Sequence, residues 1–251
     1  MEPIGLTNPR VQRLRRLLGR RSARLDDGAF VVEGPGLVAQ AVAAGWEIEA
    51  QFVAPGGSPV EAPGVPVFDL GVGVIERVAT TETPQPVLAV VRRRAASLDD
   101  LHGASFVVVC AGVADPGNLG TILRSAEAAG ADGVVLTTGS VDAFNPKVVR
   151  SAAGALFHVP VATDVPPSRL PDLGLVLVGT SSHQGTHHTA ADLVRPVALV
   201  VGSEAHGIGD DVPVDEWITV PHRGRAESLN VAMAATVLCF EVARQRGSPA
   251  G

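Results

Sequence analysis

Tyrosine is missing from the chain altogether and only 4% of its 251 residues are aromatic, which weighs against a surface of interleaved rings that stacks single-stranded bases. Cysteine is nearly absent. Cys110 falls in a run that predicts a strand and Cys239 in one that predicts a helix, so neither a disulfide framework nor a cysteine-ligated metal is expected. No apolar run approaches the roughly 20 residues that span a bilayer, and the arginine-bearing N-terminal stretch has no apolar segment of the secretory kind. The expected compartment is a reducing cytoplasm, with no membrane partner. Nucleotide fingerprints are missing too: Gly71-Val72-Gly73 lacks the third glycine of a dinucleotide site, and no glycine-lysine phosphate loop occurs. Nicotinamide and nucleotide-triphosphate chemistry is thereby set aside. Between His183, His187 and His188 stand Gln, Gly and Thr without a carboxylate, the pattern of a solvated loop, and no metal is expected.

What the chain does have is a globular composition, 46% hydrophobic and 18% charged, enough for one large domain or two smaller ones, of which two is the reading adopted. Net charge is −6, but the positive charge is bunched. Arg10, Arg13, Arg15, Arg16, Arg20, Arg21 and Arg24 crowd the N-terminus, and Arg92, Arg93 and Arg94 form a second group. Local basic patches on an acidic protein can grip a polyanion. A solvated helix face has the same composition, so charge alone leaves both readings open.

Val11, Leu14, Leu17 and Leu18 recur at helical spacing and predict a helix over residues 10–24. Strands are expected at 30–34, 51–54, 65–70 and 87–91 and helices at 36–44 and 71–79, which makes residues 1–96 a small alternating α/β domain. Residues 97–103 read as a linker. The alternation restarts over 104–247, with strands at 106–109, 133–137, 157–161, 175–178, 197–201 and 218–220 and helices at 119–129 and 146–154. A terminal helix follows from Leu229, with Ser228 as its N-cap, and its alanine-rich sequence predicts almost complete burial. Alternation of this length implies an α/β fold with a parallel sheet covered on both faces.

Polar segments cluster just past predicted strand ends, where parallel sheets bind ligands. Asp115-Pro116-Gly117-Asn118-Leu119-Gly120 leads into a helix carrying Arg124 among apolar neighbours, which predicts a partly buried arginine with an anionic partner, Glu127 or Glu204. Gly202-Ser203-Glu204-Ala205-His206-Gly207 follows the apolar strand at 197–201. Ser228-Leu229-Asn230 opens the last helix beyond Pro221. Asn145-Pro146-Lys147-Val148-Val149-Arg150 sets the sole lysine and an arginine near a helix start, a plausible phosphate grip that equally reads as a capped surface helix.

In order, Asn118 to Arg124, Gly202 to Gly207, and Ile218 to Pro221 with Ser228 to Val231 resemble the three motifs of the SpoU, or TrmH, family of RNA ribose 2′-O-methyltransferases. The segment Asn145 to Gly154 resembles that family's central region. Phe30-Val31-Val32-Glu33-Gly34 and Thr81-Glu82-Thr83-Pro84-Gln85 are similar to an L30e-like RNA-recognition domain that many members carry. Ala205 and Pro86 depart from the pattern, each standing where a glycine is common.

The resemblance implies a trefoil-knotted α/β catalytic domain behind a small L30e-like domain, S-adenosylmethionine as cofactor, RNA as substrate and a homodimer as the working form. It implies Arg124, Asn118, Glu204, Ser228 and Asn230 as catalytic residues, Glu204 being the anionic partner of Arg124. Gly202, Val220, Leu229 and Thr180 would hold the cofactor, and Arg10, Arg13, Lys147 and Arg150 the RNA. Large ribosomal RNA is the expected substrate. Transfer RNA, a non-catalytic RNA-binding protein and a small-molecule methyltransferase are the alternatives.

Overall fold

The computed structural model describes residues 2–222, 224–225 and 228–247. Along the chain run α1 (Pro9–Gly19), α2 (Arg21–Asp27), β1 (Ala29–Glu33), α3 (Pro35–Ala43), β2 (Ile48–Val53), β3 (Val67–Asp69), α4 (Ile75–Val78) and β4 (Val87–Arg92). There follow β5 (Phe106–Cys110), α5 (Pro116–Ala128), β6 (Gly133–Thr137), α6 (Pro146–Ser151), β7 (Val161–Val165), β8 (Val176–Thr180), β9 (Thr186–His187), β10 (Val197–Val201), β11 (Glu216–Thr219) and α7 (Val231–Gln245). Contacts divide the chain into two compact units, Met1–Arg94 with Phe144–Phe157, and Ala95–Ala143 with His158–Gly251.

In the first unit a four-stranded sheet has the order β1-β4-β2-β3, with β4 antiparallel to both neighbours and β3 parallel to β2. One face sends Val31, Ala50, Phe52, Leu88 and Val90 against Val11, Leu14, Leu17 and Leu18 of α1. The period-two alternation of the strands meets the helical stripe anticipated from sequence. The single helix expected over 10–24 is broken at Arg20, whose extended backbone (φ −132°, ψ 126°) separates α1 from α2 just after Gly19, a weak helix former. On the other face Phe30 meets Trp46 edge-on, with centroids 5.8 Å apart, and Phe144 at 4.9 Å. Trp46 Nε1 donates to the Phe157 carbonyl at 3.1 Å. Residues 144–157 therefore pack here although they lie between β6 and β7 in the chain, a tertiary arrangement that no local pattern encodes.

The second unit holds a seven-stranded parallel sheet of order β7-β6-β5-β10-β8-β11-β9. Every residue of β5, β6 and β10 is buried, as continuous apolar runs in a doubly covered sheet should be. Val107, Val109, Val135, Leu177, Ala198 and Val200 pack under Leu98, Leu101, Leu170 and Leu173. α5 and α7 lie together, joined by a 2.6 Å hydrogen bond between the Ser125 and Thr236 hydroxyls. The strand expected at 157–161 begins only at Val161, because Ala155–Phe157 forms a 3₁₀ turn.

The terminal helix differs from expectation in two ways. Its cap is Asn230, whose Oδ1 accepts from the N–H groups of Ala232 (2.9 Å) and Met233 (3.3 Å), so Ser228 is left in the preceding loop. Nor is it almost wholly buried: Met233, Val237 and Phe240 are 65%, 40% and 49% exposed and lie on one stripe.

Phe30 is fully buried between two rings, so Phe30→Ala should cost about 3–5 kcal/mol in urea unfolding, whereas Val72→Ala, at an exposed site, should stay within about 0.5 kcal/mol. A small effect of the Phe30 change would contradict the ring packing described.

Candidate active site

Because β10, β8 and β11 are parallel neighbours, their carboxyl ends share one edge of the sheet. A cleft of about 630 Å³ opens there, lined by Thr180, Gly202, Ile218, Val220, Ser228 and Leu229 among others. Its size falls within the roughly 300–1,000 Å³ of small-molecule sites. All four residues expected at a cofactor, Gly202, Val220, Leu229 and Thr180, line it.

After Gly202 the chain turns back on itself. Ser203 N–H donates to the Gly207 carbonyl (2.8 Å), and Gly207 N–H donates to that of Ser203 (3.0 Å). A Cβ at Gly202 would lie 2.1 Å from the Gly207 carbonyl carbon, so the turn closes only over glycine. This tight turn presents Glu204. Its carboxylate accepts from Asn118 Nδ2 (2.7 Å) and from the backbone N–H groups of Ala114 and Asp115 (3.3 Å each). Asn118 Oδ1 in turn accepts from Asn230 Nδ2 (3.0 Å), while Asn230 caps α7 with its own Oδ1. Asp115 caps α5 through the Asn118 N–H (2.8 Å), with Pro116 at the first helical position. Glu204, Asn118 and Asn230 thus form one relay through all three polar segments. In the sequence the aspartate-proline pair is the signal that Asp115 caps α5.

Burial pushes the Glu204 carboxyl upward, but the bonds from Asn118 and from backbone N–H groups outweigh it and hold the group below the ordinary carboxylate range. With the folded value the lower one, the unfolded chain binds more protons in between. The contribution to stability is full above the ordinary value of 4.5 and is lost as pH falls through the folded value.

Arg124 departs from expectation. It is exposed on α5, and Glu204 is held by neutral donors; among the described residues Arg124 makes no ion pair or hydrogen bond. Its neighbours Ile122, Leu123 and Ala126 are buried, but Arg124 lies off the face of α5 that they define, so the side chain is not the partly buried one that apolar neighbours predict. Ser228 lines the cleft without a hydrogen bond to any described residue.

In the first unit Arg13 is engaged internally, by Asp27 through two bonds of 2.8 and 2.9 Å and by Glu49 at 2.7 Å. Arg150 donates to Thr80 Oγ1 (3.0 Å) and to the buried Glu33 (3.4 Å), whose other oxygen accepts from Thr81 Oγ1 (2.7 Å). Both arginines hold structure rather than standing free as phosphate grips. Arg10 lies over the Phe68 ring at 4.7 Å, and Lys147 is exposed in the first turn of α6. His187 and His188 stack on each other at 4.7 Å. Cys110 and Cys239 are free and buried, and burial pushes the Cys239 thiol up to about 12. Among the described residues no group of His, Cys, Asp and Glu could hold a metal ion, and no helix is long and apolar enough to cross a membrane.

A parallel α/β unit with a small-molecule cleft at its strand ends, joined to a smaller mixed α/β unit, defines a two-unit protein of the cofactor-binding kind. Residues 105–240 match the model of the SpoU rRNA Methylase family, and residues 8–89 that of the MRM3-like substrate binding domain. The chain belongs to the SpoU rRNA Methylase family. It is 35% identical to the 23S rRNA (guanosine(2553)-2′-O)-methyltransferase RlmP of Bacillus subtilis (strain 168), over 90% of this chain and 92% of that one. It is 31% identical to the 23S rRNA (uridine(2479)-2′-O)-methyltransferase of Streptomyces viridochromogenes, over 95% and 91%. The crystal structure of the SpoU methyltransferase AviRb from Streptomyces viridochromogenes, in complex with the cofactor AdoMet, superposes with a TM-score of 0.86 at 30% identity, covering 96% of this chain and 99% of that one.

Glu204→Gln should lower the melting temperature at pH 7, and the gap to the wild-type protein should narrow as pH falls below the ordinary carboxyl value of 4.5. A gap independent of pH would contradict the depressed carboxyl.

Proposed function

We propose that the chain is an S-adenosylmethionine-dependent methyltransferase that methylates a ribose 2′-hydroxyl of 23S ribosomal RNA in the cytoplasm and works as a homodimer. The relay from Glu204 through Asn118 to Asn230, at the rim of the strand-end cleft, carries this reading. The activities of the two full-length relatives support it.

The lining fits the cofactor. Ile218, Val220 and Leu229 offer an apolar wall for a purine ring, and Thr180 and Gly202 offer backbone polar groups at strand ends. When bound, S-adenosylmethionine supplies a methyl group on a positively charged sulfur, open to an oxygen nucleophile. Asn118, Glu204, Ser228 and Asn230 hold the loops and the ribose in place. Arg124 orients the ribose hydroxyl and a neighbouring phosphate. A guanidinium donates hydrogen bonds and does not take up the proton, so its contribution is alignment and charge. Arg10 and Lys147, exposed on the first unit, contact RNA phosphates.

Helix geometry supports the homodimer. Six residues separate Asn118 from Arg124, which sets them about 9 Å apart along α5 and roughly 120° apart around it. Arg124 therefore faces away from the relay of its own chain and serves that of a second copy. The exposed stripe of Met233, Val237 and Phe240 on α7, beside α5, is the face on which the copies meet. A trefoil knot is supported by the strand order, since β10 returns between β5 and β8, and β11 between β8 and β9, after the chain has passed to the edge.

Arg124→Ala should fold and bind S-adenosylmethionine normally while losing methyl transfer to ribosomal RNA by on the order of 10²-fold or more, measured with tritiated cofactor. Normal turnover in that variant would overturn the assignment. A double change, Met233→Glu with Phe240→Glu, should halve the mass seen by light scattering, and a monomeric wild-type protein would refute the dimer.

A further inference from the structure

Asn118 and Ser125 stand seven residues apart on α5, so they project from nearly the same side of the helix, about 10 Å apart along it. Both are tied to the terminal segment. Asn118 Oδ1 accepts from Asn230 Nδ2 at 3.0 Å, and Ser125 Oγ lies 2.6 Å from Thr236 Oγ1. Because the ties take Asn230 and Thr236 in the same order, α5 and α7 run side by side in one direction. Thr236 spends its hydroxyl hydrogen on the Ala232 carbonyl (2.7 Å), four residues back, so Ser125 is the donor of the pair. The Ala232 N–H in turn donates to Asn230 Oδ1 (2.9 Å). These bonds close a circuit, from Ser125 through Thr236, Ala232, Asn230 and Asn118 back to α5. Ser125 is buried, and a buried hydroxyl is costly unless it is bonded.

We infer that Ser125 and Thr236 are positioning residues for methyl transfer, whose bond fixes the bearing of α5 on α7 and with it the place of Arg124; the inference rests on the proposed reaction and on the proposed role of Arg124. A single tie at Asn118 is a pivot about which α5 can swing. A second tie, nearly two turns further on, stops the swing. Arg124 immediately precedes Ser125 and so sits at the far end of that lever. A swing of about 5° over about 10 Å displaces it by about 1 Å, and misplacement on that scale costs up to on the order of 10²-fold in rate. Because α7 carries the exposed stripe of Met233, Val237 and Phe240, the same bond sets Arg124 relative to the face on which two copies meet in the proposed dimer. Neither Ser125 nor Thr236 lines the strand-end cleft, so both act through the helices rather than on a ligand there.

Ser125→Ala removes the donor of the bond and Thr236→Val its acceptor. With tritiated S-adenosylmethionine and 23S ribosomal RNA, each variant of the full chain should lose kcat by on the order of tenfold. The KM for RNA, the calorimetric affinity for S-adenosylmethionine and the mass by light scattering should all stay at their wild-type values. Combining the two changes should cost no more than either alone, because both break the same bond. Thr236→Ser keeps the hydroxyl and should restore wild-type kcat. Full kcat in Ser125→Ala would overturn the inference, as would a Thr236→Ser enzyme as slow as Thr236→Val, or losses that multiply in the double variant. A fall in kcat that comes with weaker cofactor binding or a halved mass would assign the pair to general stability and overturn it equally. Wild-type protein that transfers no methyl group to ribosomal RNA would refute the proposed reaction itself, an outcome distinct from wild-type transfer that Ser125→Ala leaves intact.

Discussion

Everything at the strand-end site hangs on one carboxylate and the amide that meets it. Asn118 is 86 residues from Glu204 and 112 from Asn230, and its side chain donates to the first and accepts from the second. The amide does both, whereas a carboxylate at this position would offer acceptors alone and set a second negative charge against Glu204. The order of the relay follows. Acid at one end, amide in the middle and a capping amide at the other leave every member bonded, and the cap couples the relay to the first turn of α7.

Hydrogen bonds of this kind contribute about 0.5–1.5 kcal/mol each and cannot hold three loops in place alone. The apolar strands beneath do that. β10 lies between β5 and β8 with all five residues buried, so the start of the Gly202–Gly207 turn is anchored in the middle of the sheet. Polar precision at the rim therefore depends on apolar burial below, and the close return of the chain over Gly202 converts the end of a rigid strand into a presented carboxylate.

The strands were legible because each is a continuous or alternating apolar run, and the site was legible as polar residues just past three of them. What escaped was non-local. Ser228 and Asn230 are both good caps two residues apart, and only the bond from Asn230 to Asn118 decides between them. Arg13 and Arg150 carry the charge expected of phosphate grips, yet Asp27, Glu49 and Glu33 reach them across 14, 36 and 117 residues. Arg124 is different, for its exposure could have been read: Leu119, Ile122, Leu123 and Ala126 define the buried face of α5, and Arg124 lies off it.

That last arrangement gives the relay its chemical meaning. Had Glu204 been paired with Arg124 in the same chain, both charges would be satisfied and neither would be available to a substrate. Here the carboxylate is held by neutral donors, from one side chain and two backbone groups, and needs no cation. The guanidinium lies on another face of the helix and has no partner among the described residues. In the proposed reading a polyanionic substrate meets Arg124 on one surface and a rigid, already satisfied framework on another, and two copies of the chain bring those surfaces together.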